Sequence, residues 1–443
     1  MQNARDLDSL SAPALNREQR RARTRRRAAA LGSAAVLASG TAAIVTGTTG
    51  VASAAGYTVD NCDDSGPGSL RKAIEDSNTN FGGALDTITI TATCTASSPV
   101  AVGSRMEVTD DLAIVGPGPA SFVLDGGGAT QIIYVDSERN LSVSGVTFQN
   151  GDGASDSGGA IYIDDGYDIV ITDVVFLDNT TTATGGALFI DSSHDVTITD
   201  STFVGNHAGS QGGAFYLLYS DGEAVISNST FEGNSSDGDG GAIAIYEQPG
   251  DVSIYNTTIT GNTSGGDGGG IALTGLYYDI TLGFVTIADN TAAGLGGGLY
   301  SNVQDNETIT IFGSIFSGNV DGGGANEVYN DTNPVTTYNN LFEGPVVGFT
   351  ADASDLTGVD PLLAPLADNG GPTQTRALGA GSPAIDAGPS GWPTFAGDLF
   401  DQRGTPYVRG YGGVADIGAY EAQPGPTPPE PTPEPAPEPS FTG

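Results

Sequence analysis

From Leu141 onward the chain alternates apolar and polar residues in short runs that recur at an almost constant interval. Aligned, the runs read LSVSGVTFQN, IVITDVVFLDN, VTITDSTFVGN, AVISNSTFEGN, VSIYNTTITGN, ITLGFVTIADN, ITIFGSIFSGN and VTTYNNLFEG. The large apolar position falls at Phe148, Phe176, Phe203, Phe231, Ile259, Ile287, Phe316 and Phe342, at intervals of 28, 27, 28, 28, 28, 29 and 26 residues. An asparagine follows closely, at Asn150, Asn179, Asn206, Asn234, Asn262, Asn290 and Asn319. Later in most units a glycine pair precedes a second apolar run: GGAIYI, GGALFI, GGAFYL, GGAIAI, GGGIAL and GGGLYS. Period-two alternation rich in Val, Ile and Thr and bounded by Gly, Asn, Asp and Ser is strand chemistry; no unit offers a helical stripe.

A lone unit of this length cannot bury its apolar side, but stacked units can. The pattern therefore predicts an all-β parallel solenoid with coils of about 28 residues, each strand pairing with its equivalent one coil away at roughly 4.8 Å. The phenylalanines should form one internal column, and Ile161, Leu188, Phe215, Ile243, Ile271 and Leu299 another. The asparagines should bond to one another at the bends, and the glycine pairs should supply positive φ or close backbone approach. A propeller is the second choice, since it needs about four strands per blade and longer units.

The flanks differ. Residues 17–27 (REQRRARTRRR) are basic, an Ala/Gly/Thr/Val-rich stretch follows, and Ala52-Ser53-Ala54 offers a small-residue cleavage site. This order predicts a secretory signal over 1–54 and a mature start at Ala55, exported to the surface or medium and not inserted in a membrane once the signal is removed. Three of the 53 acids and eight of the 15 Lys+Arg precede Ala55, so residues 55–443 carry a formal charge of −43. Such a surface repels nucleic acid phosphates and anionic bilayers. Export permits a disulfide between Cys62 and Cys94, the two cysteines present, with a pair of free thiols as the alternative. Residues 422–443 hold nine prolines in 22 residues and are expected to form an extended, unpacked spacer.

The paired FxxN and GGA(I/L/F) elements over 141–345 resemble the repeat of the chlamydial polymorphic outer-membrane proteins, a family that implies a right-handed parallel β-helix. Upstream, DSGPGSLRKAI (64–74) is similar to the CSLREAI segment that opens many such helices, with Gly68 where that motif has its cysteine. Read physically, Ser69 can N-cap a short helix through about Asn78 that covers the open end of the stack, so 55–140 is assigned to the cap and first coils. Downstream, SPAIDAG (382–388), DQRG (401–404) and DIGAYE (416–421) resemble the choice-of-anchor Q domain, assigned to 346–421. That resemblance implies a secreted or surface-attached protein, and neither family implies a catalytic residue on this chain.

Chemistry is sparse. Between Arg139 and Arg376 there is no Lys or Arg, while residues 140–375 contain 30 Asp or Glu. A polyuronate lyase needs cations to neutralise its substrate, which argues against that class. Hydrolysis of a neutral glycan by two carboxylates stays open as the alternative. Asp164/Asp165 and Asp237/Asp239 read as solvated turn residues, and His194 and His207 as exposed turn histidines without partners. Asp168, Asp195, Glu223, Asp251 and Asp279 recur at intervals of 27, 28, 28 and 28 and should stack in one column. Like charges about 5 Å apart repel by roughly 1 kcal/mol even in water. The column therefore reads as a Ca²⁺ ladder, or else as side chains splayed into solvent. Tyr162, Phe189, Tyr216 and Tyr300 should face outward in a column broken by Ala244 and Ala272, where they would stack on sugars or a protein partner, or simply be covered by a loop. The expectation is a non-catalytic adhesion or display protein that binds glycans or surface proteins of a host or neighbouring cell. A purely structural stalk is the further alternative.

Overall fold

The computed structural model describes residues 54–80, 84–136, 138–248, 250–302, 307–331, 334–390 and 399–423. The expected signal, apart from Ala54, and the proline-rich stretch from Pro424 lie outside them. The chain winds as a right-handed parallel β-helix with coils of about 28 residues. One sheet of ten parallel strands runs the length of the stack, from Met106–Val108 through Ile161–Ile163, Leu188–Ile190 and Phe215–Leu218 to Val346–Val347. A larger sheet contains the FxxN runs, and five two-residue strands from Thr180–Thr181 to Thr291–Ala292 form a third side.

Register follows the repeat. Phe148 pairs with Phe176, Phe176 with Phe203, Phe203 with Phe231 and Phe231 with Ile259. The series continues through Ile287 and Phe316 to Phe342, and every member is fully buried. The rings stack along the axis with centroids 5.4, 4.6 and 4.5 Å apart over the first four. The second column, Ile161 to Leu299, is equally buried on the opposite wall.

Both glycine expectations are met, one by each member of the pair. Gly185, Gly212, Gly240, Gly268 and Gly296 are left-handed, with φ of 66–69°. A Cβ on Gly186, Gly213 or Gly241 would sit 2.0–2.1 Å from a carbonyl of the next coil, so only hydrogen fits. Asparagines form a buried ladder: Asn179 Nδ2 donates to Asn206 Oδ1, Asn206 to Asn234, Asn234 to Asn262, Asn262 to Asn290 and Asn290 to Asn319, all at 2.9–3.0 Å. Each Oδ1 also accepts the backbone N–H of the preceding asparagine. Asn150 is not part of this ladder. It takes the left-handed turn position (φ 49°) filled later by Asp178, Gly205, Gly233 and Gly261, because it stands two residues after the Phe instead of three, and Gly151 occupies the ladder position, its N–H donating to Asn179 Oδ1. At the far end Glu327 replaces the next asparagine, its Oε2 accepting from Asn319 Nδ2 at 2.6 Å.

The N-terminal cap is helix Leu70–Ser77, with the Ser69 hydroxyl accepting from Lys72 N and Leu70, Ala73 and Ile74 buried on the first coils. Cys62 and Cys94 are joined in a disulfide. After the last coil the chain turns back and lies along the flank of the helix. There Gln402 bonds Thr230, Thr258 and Thr373, and Ala419 N donates to Thr286 Oγ1 at 3.0 Å.

Candidate functional site

The five acids do stack. Their carbonyls accept from the next residue of the coil before, as in Ile169 N to Asp195 O, Val196 N to Glu223 O, Ala224 N to Asp251 O and Val252 N to Asp279 O. Their side chains are neither splayed nor simply repelling. Asp195 Oδ1 accepts Glu223 N at 2.8 Å, Asp279 Oδ1 accepts Thr308 N at 3.2 Å, and Glu223 Oε1 accepts Ser253 Oγ at 3.3 Å. A carboxylate facing an amide N–H of the adjacent coil is stabilised as an anion, which offsets the repulsion along the column.

At the top of the column the counter-group is a side chain. The expectation that His194 is an exposed turn residue without a partner is corrected: its Nδ1 lies 3.1 Å from Asp168 Oδ1 and 3.3 Å from Asp195 Oδ2. The ring stacks on Tyr167, centroids 5.0 Å apart and planes 6° from parallel. Its backbone is held between coils, N to Tyr167 O at 2.8 Å and O from Gly222 N at 2.8 Å. The hydrogen bonds to Asp168 and then Asp195 push the imidazole pKa up to about 10 against the opposing effect of burial. Burial raises Asp195, but His194 and the Glu223 N–H outweigh it and leave that carboxyl lowered. The signal was present in the sequence: DSSHD puts His194 beside Asp195, and the repeat puts Asp168 one coil above. His207 is partnered too, Nδ1 lying 3.0 Å from Ser235 Oγ.

The aromatic column lies outside the coil core, as alternation requires, but it is not an open row of ring faces. Tyr162, Phe189 and Tyr216 stack successively at 5.0 and 5.5 Å, Tyr134 packs tilted by 42° against Tyr162 at 5.3 Å, and Phe189 and Tyr216 are each only 6% exposed. The expected free faces are covered by neighbouring rings, which leaves edges and hydroxyls to meet a ligand. Tyr300 belongs to a separate pair with Tyr329, beyond Ala244 and Ala272.

Two residues beyond the rings runs a second column that pattern reading passed over: Asp136, Asp164 and Asp191, each donating its N–H to Val108, Val135 and Ile163 in turn. Asp164, expected to be merely solvated, accepts the Tyr134 hydroxyl at 3.0 Å. Burial, then Asp164, pushes Tyr134 up to about 12; burial, then Asp164 and Asp165, raises Asp191. Asp239 is likewise engaged, Oδ1 accepting Asp267 N at 2.8 Å.

The motifs near the C-terminus are buried against one another. Arg403 pairs with Asp401 (2.6 Å) and lies between the rings of Tyr407 and Tyr420, 3.8 and 3.9 Å away. Glu421 N donates to Asp401 Oδ2, and Asp386 N to Asp416 Oδ1, both at 2.8 Å. These residues build a cover rather than a cleft.

The family model described as a right handed beta helix region matches residues 125–215 and 185–342. With the observed coil geometry this makes the chain a parallel β-helix protein, a fold found both in adhesins and in glycan hydrolases. No curated protein and no solved structure matches it.

Proposed function

We propose that this protein is an exported, non-catalytic display or adhesion module, related to the surface-attached β-helix proteins that its terminal motifs resemble. It would meet glycans or proteins of another cell along the outer face of the ten-stranded sheet. The observation that carries this reading is the registered pairing of rings and acids over three coils: Tyr134 with Asp136, Tyr162 with Asp164, Phe189 with Asp191. Ring edges and hydroxyls beside carboxylates suit uncharged sugar hydroxyls or basic side chains, and the surrounding negative charge rejects polyanions. Elsewhere the carboxylates that could suggest catalysis accept N–H groups of adjacent coils, a structural use.

A triple variant, Asp136→Asn, Asp164→Asn and Asp191→Asn, should keep the circular dichroism of the wild type and lose binding to arrayed neutral glycans and basic peptides. Equal binding by both proteins, or none by the wild type, would refute the reading. A second reading has one observation in its favour. Asp191, raised by burial, stands in the coil next to Asp164 on the same face, which puts two carboxylates side by side, the minimum a glycosidase needs. Release of reducing sugar from neutral glycans by the wild type, lost in Asp191→Asn, would replace the first reading with that one.

A further inference from the structure

We propose that Asp168, His194 and Asp195 bind one divalent transition-metal ion of the zinc class, bridging two neighbouring coils. Among the described residues they form the one group of three metal-ligating side chains whose donor atoms all lie within 4.8 Å of one another. The contacts that serve as hydrogen bonds to a protonated ring also have the spacing an ion would need. A charge-assisted N–H···O bond runs about 2.7–2.9 Å, and one hydrogen points at one acceptor. Here a single Nδ1 faces two carboxylates at 3.1 and 3.3 Å. Ligands held about 2.0–2.1 Å from a common tetrahedral ion sit roughly 3.3 Å apart. The two nitrogen–oxygen separations match two edges of such a coordination sphere. The remaining carboxylate–carboxylate edge can close because both side chains are half exposed.

The supporting contacts are those of a prepared site. Tyr167 fixes the ring plane, and the Glu223 N–H holds Asp195 Oδ1, which leaves Oδ2 turned to the histidine. His194 Nε2 is buried without a partner and carries the ring hydrogen when Nδ1 is metal-bound. Two carboxylates around a neutral imidazole sum to −2, which a divalent ion cancels and a proton does not. A nitrogen donor with two oxygens favours zinc-class ions over Ca²⁺, which prefers six to eight oxygens. This replaces calcium at the upper step of the acidic column. Three protein ligands also leave a position open to solvent.

The test uses the tag-free full chain, stripped of metal and titrated with Co²⁺ as a visible probe and with Zn²⁺ by calorimetry. One equivalent should bind, Co²⁺ should show the intense absorption of a low-coordinate nitrogen–oxygen site, and excess Ca²⁺ should not displace it. Asp168→Asn should weaken binding at least tenfold, and His194→Ala should abolish it. A wild type that binds neither ion saturably, or a folded His194→Ala that binds as tightly, overturns the proposal. If His194→Ala does not fold, unchanged affinity in Asp168→Asn overturns it equally.

Discussion

At the scale of single residues, the asparagine ladder engages both amide atoms of each side chain in bonds between coils. Asn234 Nδ2 donates to Asn262 Oδ1 and Phe203 O, while its Oδ1 accepts both Asn206 N and Asn206 Nδ2. It is 1% exposed, so water cannot replace these partners. Asn234→Ala leaves two donors of Asn206 and one carbonyl without partners, each costing about 1–3 kcal/mol when buried. The expected loss is about 3–5 kcal/mol in urea-induced unfolding, whereas Ser235→Ala, on the partly exposed neighbouring position, should change stability by less than about 1 kcal/mol. A loss below 1 kcal/mol for Asn234→Ala would show that the ladder is dispensable. The ladder was readable in the sequence because a side chain that bonds its own equivalent must recur at the coil period. Asn150 shows the limit of that reading. A one-residue difference after Phe148 moves it to a left-handed turn, and residue type alone does not separate an amide in a ladder from one in a turn.

At the scale of elements, coils and cover obey different rules. Coil pairing is local in the repeat: each strand's partner lies about 28 residues away, so spacing reveals register, internal columns and the acidic stack. The cover carries no period, and its contacts span large separations, such as Thr258 Oγ1 to Gln402 Oε1, 144 residues apart at 2.6 Å. Nothing in the local pattern of DQRG or DIGAYE says which sheet face they will meet. Nor could alternation tell that Phe189 and Tyr216 would be covered by adjacent rings, because burial outside the core depends on what stands one coil above and below. The cover depends on two buried groups. Gln402 is fully buried and its amide donates to Ser229 O, Thr230 Oγ1, Thr373 Oγ1 and Gln374 O. Arg403 neutralises Asp401, itself 1% exposed. Arg403→Met strands a buried carboxylate, a change that costs about 3–5 kcal/mol. The damage should stay in the cover, because none of the coil ladders passes through Arg403. Limited proteolysis should therefore cut Arg403→Met within 361–423 while leaving a resistant core of coils. Simultaneous loss of both regions would mean that cover and coils unfold as one unit.

At the scale of the whole molecule, charge and burial act in the same direction, so stability should fall as pH rises. The formal net charge is −38, and its self-repulsion grows as carboxyls ionise. Two fully or nearly fully buried acids add a specific contribution. Burial raises Glu327, against the hydrogen bonds from Asn319 and Gly344, from 4.5 to about 7, and Glu421 likewise to about 7. A carboxyl whose folded pKa lies above its unfolded one favours the folded state while both forms are protonated. That stabilisation is complete below about pH 4.5 and is lost as pH rises through about 7, where the unfolded chain has already released its proton. Melting temperature should therefore be higher at pH 5 than at pH 8, the reverse of proteins that depend on ionised, paired carboxylates. Added salt should raise the midpoint at pH 8 more than at pH 5, because it screens the exposed charge and leaves Glu327 and Glu421 untouched. Glu327→Gln separates the two causes. Its amide cannot ionise, so the slope between pH 4.5 and 7 should become shallower. It should also melt lower at pH 5, since Gln presents an NH₂ where either the Asn319 or the Gly344 donors require an acceptor. A variant with the wild-type slope would assign the pH dependence to the net charge and the other raised groups, Glu421, Asp191 and His194 among them. A wild type that melts higher at pH 8 than at pH 5 would contradict the linkage altogether.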